Sequence, residues 1–465
     1  MNSHTFARDT INDITSAQSP RRVELSKQLF ERLTSVMNEI HETDFSERFW
    51  SILLGSHVNA VISRKELLDE REHNRKPDLY PINGFTFPGK KKKLISNLIR
   101  TMKWTMTALN EKKVFSAIEE YDSLLLGFPD SIALRKELSG TPLPYFHPVF
   151  PLSGDTAKRD RAYAIADKIK DLFFKNVVKE LPQILVEYFS KIYSGIPLYS
   201  PEKKTFHVHL YGTILNEFIV AKYVEHSSLF YWYQHGSEYG EFSSYYPHSV
   251  SVELADKFRT WGWKIEEKDE PWTAYRLEAF REDYEKYDKN PANELLICYP
   301  EFNKKNKPEY IEFSSELFSG LITDRYRKIL ARPRRSNKLH SHASQLSFIS
   351  DDRVKVTSGL QPMMKEMAES KLVLQVNVPC TNFLECIYVD HPTIGTLRND
   401  QPTDIVKPYY DFFISNGVLH TDLNSLIDHL NRIEINEWWS DIINSDMYKS
   451  FKYKFARSAH TTFTG

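Results

Sequence analysis

Groups able to move protons are concentrated between Phe206 and Gly240, in the stretch FHVHLYGTILNEFIVAKYVEHSSLFYWYQHGSEYG. His207 and His209 alternate along a short apolar run, and Gln234-His235-Gly236 closes an aromatic one. Imidazole titrates nearest to neutral pH, so these three histidines are candidate general bases, with Glu217 between them as a carboxylate alternative. Further on, Arg332, Arg334 and Arg335 offer guanidinium groups that clamp phosphate bidentately, although the same cluster also reads as a basic surface loop. Thr381-Asn382-Phe-Leu-Glu385 opens a predicted helix. Free N–H groups at a helix start bind phosphate, and a carboxylate nearby accepts ribose hydroxyls. The same spacing also serves as a plain capping box. Asp351-Asp352 reads as a solvated turn, since no further metal ligand accompanies it.

The elements that must position these groups are legible in part. A strand ends near Gly212, a helix runs from about Ile214 to Val224, and Leu229-Phe-Tyr-Trp-Tyr233 has the composition of a buried strand. In an open α/β sheet ligands sit outside the carboxyl ends of strands, which is where both histidine clusters fall. Ahead of this unit, Leu25, Leu29, Leu33, Val36 and Ile40 mark an amphipathic helix, Ser46 is an N-cap candidate, and Ser123-Leu-Leu-Leu126 reads as an early strand. A long helical region is predicted near 161–193. Later strands are predicted at Glu294–Pro300, before Ala331, at Lys371–Gln375 and at Pro392–Gly395, with helices between them. The expected organisation is a flexible leader over 1–22, an α/β lobe on the acceptor side over 23–263 and a charged linker over 264–293. A nucleotide-sugar-binding lobe over 294–435 and a terminal helix over 436–465, packing back on the first lobe, complete it. Two Rossmann-like lobes facing a central cleft make a GT-B-like α/β fold.

Composition narrows the class. A net charge of −1 over 465 residues leaves no electrostatic footprint for nucleic acid. Cys298, Cys380 and Cys386 lack paired metal-ligand spacing and fit a reducing compartment. No apolar run approaches the roughly 18 residues of a membrane span, and the polar amino terminus lacks a signal-peptide core, so a cytoplasmic protein is expected. Lys90–Lys93 reads either as a solvated face or as a patch for peripheral contact with the inner face of the membrane. GxGxxG, Walker A, paired CxxC and HExxH are all missing from the sequence, which argues against nicotinamide, P-loop and zinc-hydrolase chemistry.

Several segments resemble a family of surface-carbohydrate transferases associated with O-antigen, capsule and nonulosonic-acid biosynthesis. They are SERFWSILLG (46–55), LLLGFP (124–129), HVHLYGTILNEFIVAKYVE (207–225), YQHGSEYG (233–240), ELADKFRTWGW (253–263), TNFLE (381–385) and the Trp438-Trp439 tail. The chain departs from the pattern in lacking an LGEWC-like segment, in carrying Leu54-Gly-Ser-His57 where LGPW is usual, and in Ser237 after QHG. The resemblance implies a GT-B glycosyltransferase that needs no metal or cofactor and moves a sugar from a nucleotide donor to a glycan or lipid-linked acceptor. The favoured donor is a CMP-activated ulosonic acid such as Kdo or pseudaminic acid, ahead of a UDP- or dTDP-hexose. It carries Glu217, Gln234, His235, Gly236, Tyr239 and Glu385 over as site residues. Thr381 and Asn382 are then expected to hold phosphate, Glu385 the ribose, and Arg332 or Arg335 the departing charge. A nucleotide-sugar epimerase and a non-catalytic glycan-assembly scaffold stand as competing readings.

Overall fold

The computed structural model describes residues 20–71, 113–126, 141–142, 154–209, 214–242, 250–300, 307–334, 345–398 and 402–459. Their strands form two six-stranded sheets. The first contains β1 (Ser123–Leu126), β2 (Thr141–Pro142), β3 (Thr205–Val208), β4 (Leu229–Tyr233), β5 (Lys257–Thr260) and β6 (Asp269–Pro271), in the order β2-β1-β3-β4-β5-β6. The second contains β7 (Asn293–Cys298), β8 (Ile329–Arg332), β9 (Val354–Val356), β10 (Ser370–Val378), β11 (Thr393–Leu397) and β12 (Leu419–His420), in the order β12-β11-β10-β7-β8-β9. Every neighbouring pair is parallel. Strand order reverses between β1 and β3 in one sheet and between β7 and β10 in the other, the topological positions at which open α/β sheets bind ligands. The expected GT-B-like, two-lobed α/β fold is therefore the one observed.

Local sequence explains how the element carrying Glu217 is fixed. The helix Ile214–Glu225 follows β3, and Leu215, Phe218, Ile219 and Tyr223 are all buried. Its last residue, Glu225, accepts hydrogen bonds from the Ser46 amide (2.8 Å) and hydroxyl. Ser46 in turn caps the helix Glu47–Arg71 by accepting from the Phe49 amide at 3.1 Å. One serine thus starts a helix and anchors the end of another. Asn38, in the helix Pro20–His41, gathers the turn between the first two helices: its carbonyl accepts from the Phe45 amide, the Thr43 hydroxyl and the Trp50 indole.

Some elements differ from expectation. The helical region near 161–193 is broken into Thr156–Lys168, Leu172–Lys179, Gln183–Val186 and Phe189–Gly195. Asp171 starts a new helix by accepting from the Phe174 amide, and Pro182 interrupts again. Residues 264–293, read as a linker without a strand, supply edge strand β6 and the helix Tyr275–Tyr284. The sequence Asp269-Glu-Pro271 carries no strand propensity, and proline is tolerated there because β6 lies at the sheet edge.

The largest apolar cluster does not respect the division into lobes. It runs from Phe218, Phe230 and Phe258 to Val378, Phe383 and Phe413, then to Phe451 and Phe455 of the terminal helix Asp446–Phe455. Beyond that helix the Arg457 amide donates to the Trp261 carbonyl (3.0 Å), and the Arg457 carbonyl accepts from the Ala274 amide (2.8 Å). Gly262 makes this crossing possible. Its φ is +124°, and a Cβ there would lie 2.5 Å from the Tyr453 carbonyl oxygen. Gly262→Ala is expected to lower unfolding free energy by about 2 kcal/mol or more, through combined strain and steric displacement of the tail. Urea titration checks this, and an unchanged midpoint would contradict the account of the crossing.

Candidate functional site

The turn after β4 is held by Gln234, which is 2% exposed. Its side-chain carbonyl accepts from the Trp261 amide (2.8 Å) and the Trp263 indole (2.9 Å), and its amide donates to the Gly236 carbonyl (2.8 Å). This explains why QHG and TWGW occur in one chain: they form a single hydrogen-bonded unit joining the ends of β4 and β5. Gln234 was expected to bind substrate. Its carbonyl and one amide N–H are spent on the turn, which it positions.

The histidines divide by environment. His207 lies inside the sheet, with Nδ1 2.8 Å from the Tyr233 hydroxyl, which also accepts from Arg259. Burial, aided by Arg259, depresses its pKa to about 3. It therefore belongs to an internal relay of His207, Tyr233, Arg259 and Glu270, and the structure does not place it among proton acceptors at the strand ends. His209 and His235 do meet there, their rings edge to face with centroids 5.7 Å apart. His235 is half-buried, and its Nδ1 lies 3.2 Å from the Tyr239 hydroxyl. Burial, then the Arg276 charge, lowers its pKa to about 4, leaving the imidazole neutral at physiological pH.

Glu217 sits in the first turn of the helix after β3, on the carboxyl-end side of the sheet. Among the described residues no hydrogen-bond or ion-pair partner reaches it, and burial raises its pKa to about 8. A carboxyl group in that state carries a proton at neutral pH and releases it just above.

The second lobe brings the helix Thr381–Tyr388 against the β4 turn. The Ser237 amide donates to the Thr381 hydroxyl at 3.3 Å, and a Cβ on Gly236 would stand 3.3 Å from the same oxygen. Glycine at 236 thus lets the lobes approach. The Asn382 side chain is half-buried and makes no hydrogen bond to the described residues. Glu385 is nearly buried, which raises its pKa, and faces the Arg276 guanidinium across the lobes at 3.9 Å. Arg332 does not present a free phosphate clamp: it is buried against Glu366 and donates to the Gly359 and Gln361 carbonyls. A guanidinium released from such a pair would leave a carboxylate buried alone, a cost of several kcal/mol. Arg335 lies outside the described residues, as do Lys90–Lys93. Asp351 pairs with Arg353, in keeping with a structural turn.

Sequence reading missed Arg276 and Arg259, because one falls in the presumed linker and the other in the ELADKFRTWGW segment, from which no site residue was carried over. It also missed Glu241. This carboxylate is 1% exposed, its pKa is raised to about 7 by burial, and it accepts from the Tyr410 hydroxyl of the other lobe at 2.5 Å.

Two parallel α/β lobes whose strand ends converge on a histidine turn and a helix amino terminus define a GT-B-like fold. The chain belongs to the LIC12162 family of transferases, whose model matches residues 73–463. No curated protein is similar to it at a significant level. Solved structures resemble it only distantly. They include a Listeria monocytogenes protein assigned as a UDP-N-acetylglucosamine 2-epimerase, with 11% identity and a TM-score of 0.36 over 76% of this chain and 89% of that one. An O-GlcNAc transferase mutant from Thermobaculum terrenum matches with 11% identity and a TM-score of 0.33 over 87% and 81%. S. aureus MnaA with UDP matches with 10% identity and a TM-score of 0.32 over 76% and 89%.

The state of Glu217 has a thermodynamic signature. Its folded pKa, about 8, lies above its ordinary value of 4.5, so the native state keeps a proton that the unfolded chain releases. The associated stability is complete below pH 4.5 and is lost as pH rises through 8. Glu217→Gln is expected to remove that decline, which urea midpoints of both proteins at pH 6 and 8.5 would register. Parallel pH dependence in the two would contradict the burial assigned to this carboxyl.

Proposed function

We propose that this transferase is a glycosyltransferase that moves a sugar from a nucleotide donor held by the second lobe to an acceptor held by the first. The observation that carries the reading is the meeting of the β4 turn with the start of the helix Thr381–Tyr388, at the carboxyl ends of both sheets. Backbone amides at that helix start, with the Thr381 hydroxyl and the Asn382 amide, are suited to the donor phosphates, and Glu385 to the ribose. Because Arg332 is committed to Glu366, the departing charge falls to the helix amides and to Arg335.

His235 acts as the general base toward the acceptor hydroxyl. Donation from its Nδ1–H to the Tyr239 oxygen leaves a lone pair on Nε2, and the lowered pKa keeps that lone pair available at neutral pH. Glu217, on the helix that follows β3, is a second proton-holding group, giving up its proton near pH 8. The resemblance of QHGSEYG, TWGW and TNFLE to surface-carbohydrate transferases supports a CMP-activated ulosonic acid as donor and a bacterial surface glycan as acceptor. No helix among the described residues is long and apolar enough to cross a membrane.

A thermal-shift panel of CMP, UDP, dTDP and GDP tests the donor assignment. A ligand at a hundredfold over its Kd stabilises the native state by about 2.7 kcal/mol. A shift with CMP alone is expected. A UDP or dTDP shift redirects the donor to a hexose, and four null results overturn donor binding. His235→Ala is expected to cut turnover about a hundredfold or more while leaving the melting temperature in place. A near-normal rate would remove His235 from the chemistry.

A further inference from the structure

Between the ends of β4, β5 and β6 the first lobe contains a small pocket lined by His209, Tyr233, Arg259, Trp261, Tyr275 and Arg276. Its walls are aromatic and nearly buried: Trp261 is 2% exposed, and Tyr233 and Tyr275 are 3% exposed. Its two cations differ in commitment. Arg259 donates from Nε to Glu270 at 2.8 Å, bonds Tyr233 and stacks its guanidinium 3.8 Å above the Trp272 ring. It is a fixed, neutralised part of the wall.

Arg276 is different. Its side chain is 42% exposed, it spends one N–H on the His235 carbonyl (2.9 Å), and its nearest carboxylate, Glu385, stands at 3.9 Å, beyond hydrogen-bond reach. A guanidinium has five N–H donors in a planar fork. This one therefore retains donors for a ligand, at the mouth of a pocket and one residue contact from the proposed base. Small aromatic pockets with a single oriented charge select by that charge.

We infer that the mouth of this pocket binds an anionic group, a carboxylate or phosphate, on the acceptor saccharide, with Arg276 as the residue that recognises it. The inference rests on the transferase reading above and names the acceptor class for that site. Bidentate pairing with Arg276 fixes the acceptor in orientation as well as position, leaving its hydroxyl beside His235. The enclosed space itself admits little more than a water-sized group, so the anion lies at the mouth, against the exposed Arg276 side chain.

Saturation-transfer NMR on the full chain, with methyl β-D-glucuronide and methyl β-D-glucoside as probes, provides the test. The glucuronide is expected to bind about tenfold more tightly than the glucoside, the scale of one charge-assisted pair. Arg276→Gln, checked for an unchanged melting temperature, is expected to bring it to the level of the glucoside. Glu385→Gln, which removes the carboxylate facing Arg276, is expected to tighten glucuronide binding and serves as the deciding variant if Arg276→Gln does not fold. Equal binding of the two sugars, retention in Arg276→Gln, no gain in Glu385→Gln, or displacement of glucuronide by whichever nucleotide shifts the melting temperature would each overturn the proposal. Glucuronide binding together with four silent nucleotides would instead break the donor assignment and leave the anion pocket standing.

Discussion

The structure depends on a buried carboxylate that one lobe provides and the other satisfies. Glu241 follows the β4 turn, and with both lobes in place it is buried to 1% exposure. The second lobe supplies the Tyr410 hydroxyl, and the Arg398 charge stands near. The same loop extends the contact: Glu238 pairs with Arg398 at 3.0 Å, the Thr403 amide reaches the Glu241 carbonyl, and the Thr403 hydroxyl reaches the Gly240 carbonyl. Burying such groups is costly unless partners are in place, so the loop has its low-energy conformation only when the lobes are docked. His235 lies six residues before Glu241 and inherits its position from that docking.

This coupling also fixes the turn that carries His235. Gln234 fixes the turn from below through Trp261 and Trp263, while Ser237 and Glu238 fix it from the side through Thr381 and Arg398. The residues expected to contact substrate thus sort into two groups. His235, Thr381 and Asn382 are half-buried where the two lobes meet, while Gln234, Gly236 and Arg332 hold the frame around them.

Long buried strands and helices announced themselves through composition, and β1, β4, β7 and β10 lie close to where apolar runs place them. The short edge strands β2, β6, β9 and β12 carry two to three residues each and no pattern, so only their neighbours define them. At the site, the sequence displayed the histidine turn and TNFLE because glycine, histidine and helix-start residues mark backbone geometry. It could not show that Arg332 faces Glu366, since that partner lies 34 residues away and only the fold brings it near. Arg276 was hidden for the same reason: its meaning comes from Glu385 and the His235 carbonyl, both remote along the chain.

The crossing of the tail over Trp261 and Ala274 bears on how the two lobes can move. An enzyme whose halves share one connection closes like a book, about a hinge of a few residues. Here the halves are joined by the chain from β6 to β7, by the docked loop, and by a terminal segment inserted between the ends of β5 and β6. A body tied at three separated places resists rotation about any single axis. Sliding of packed surfaces over small distances is the motion that such a set of ties opposes least.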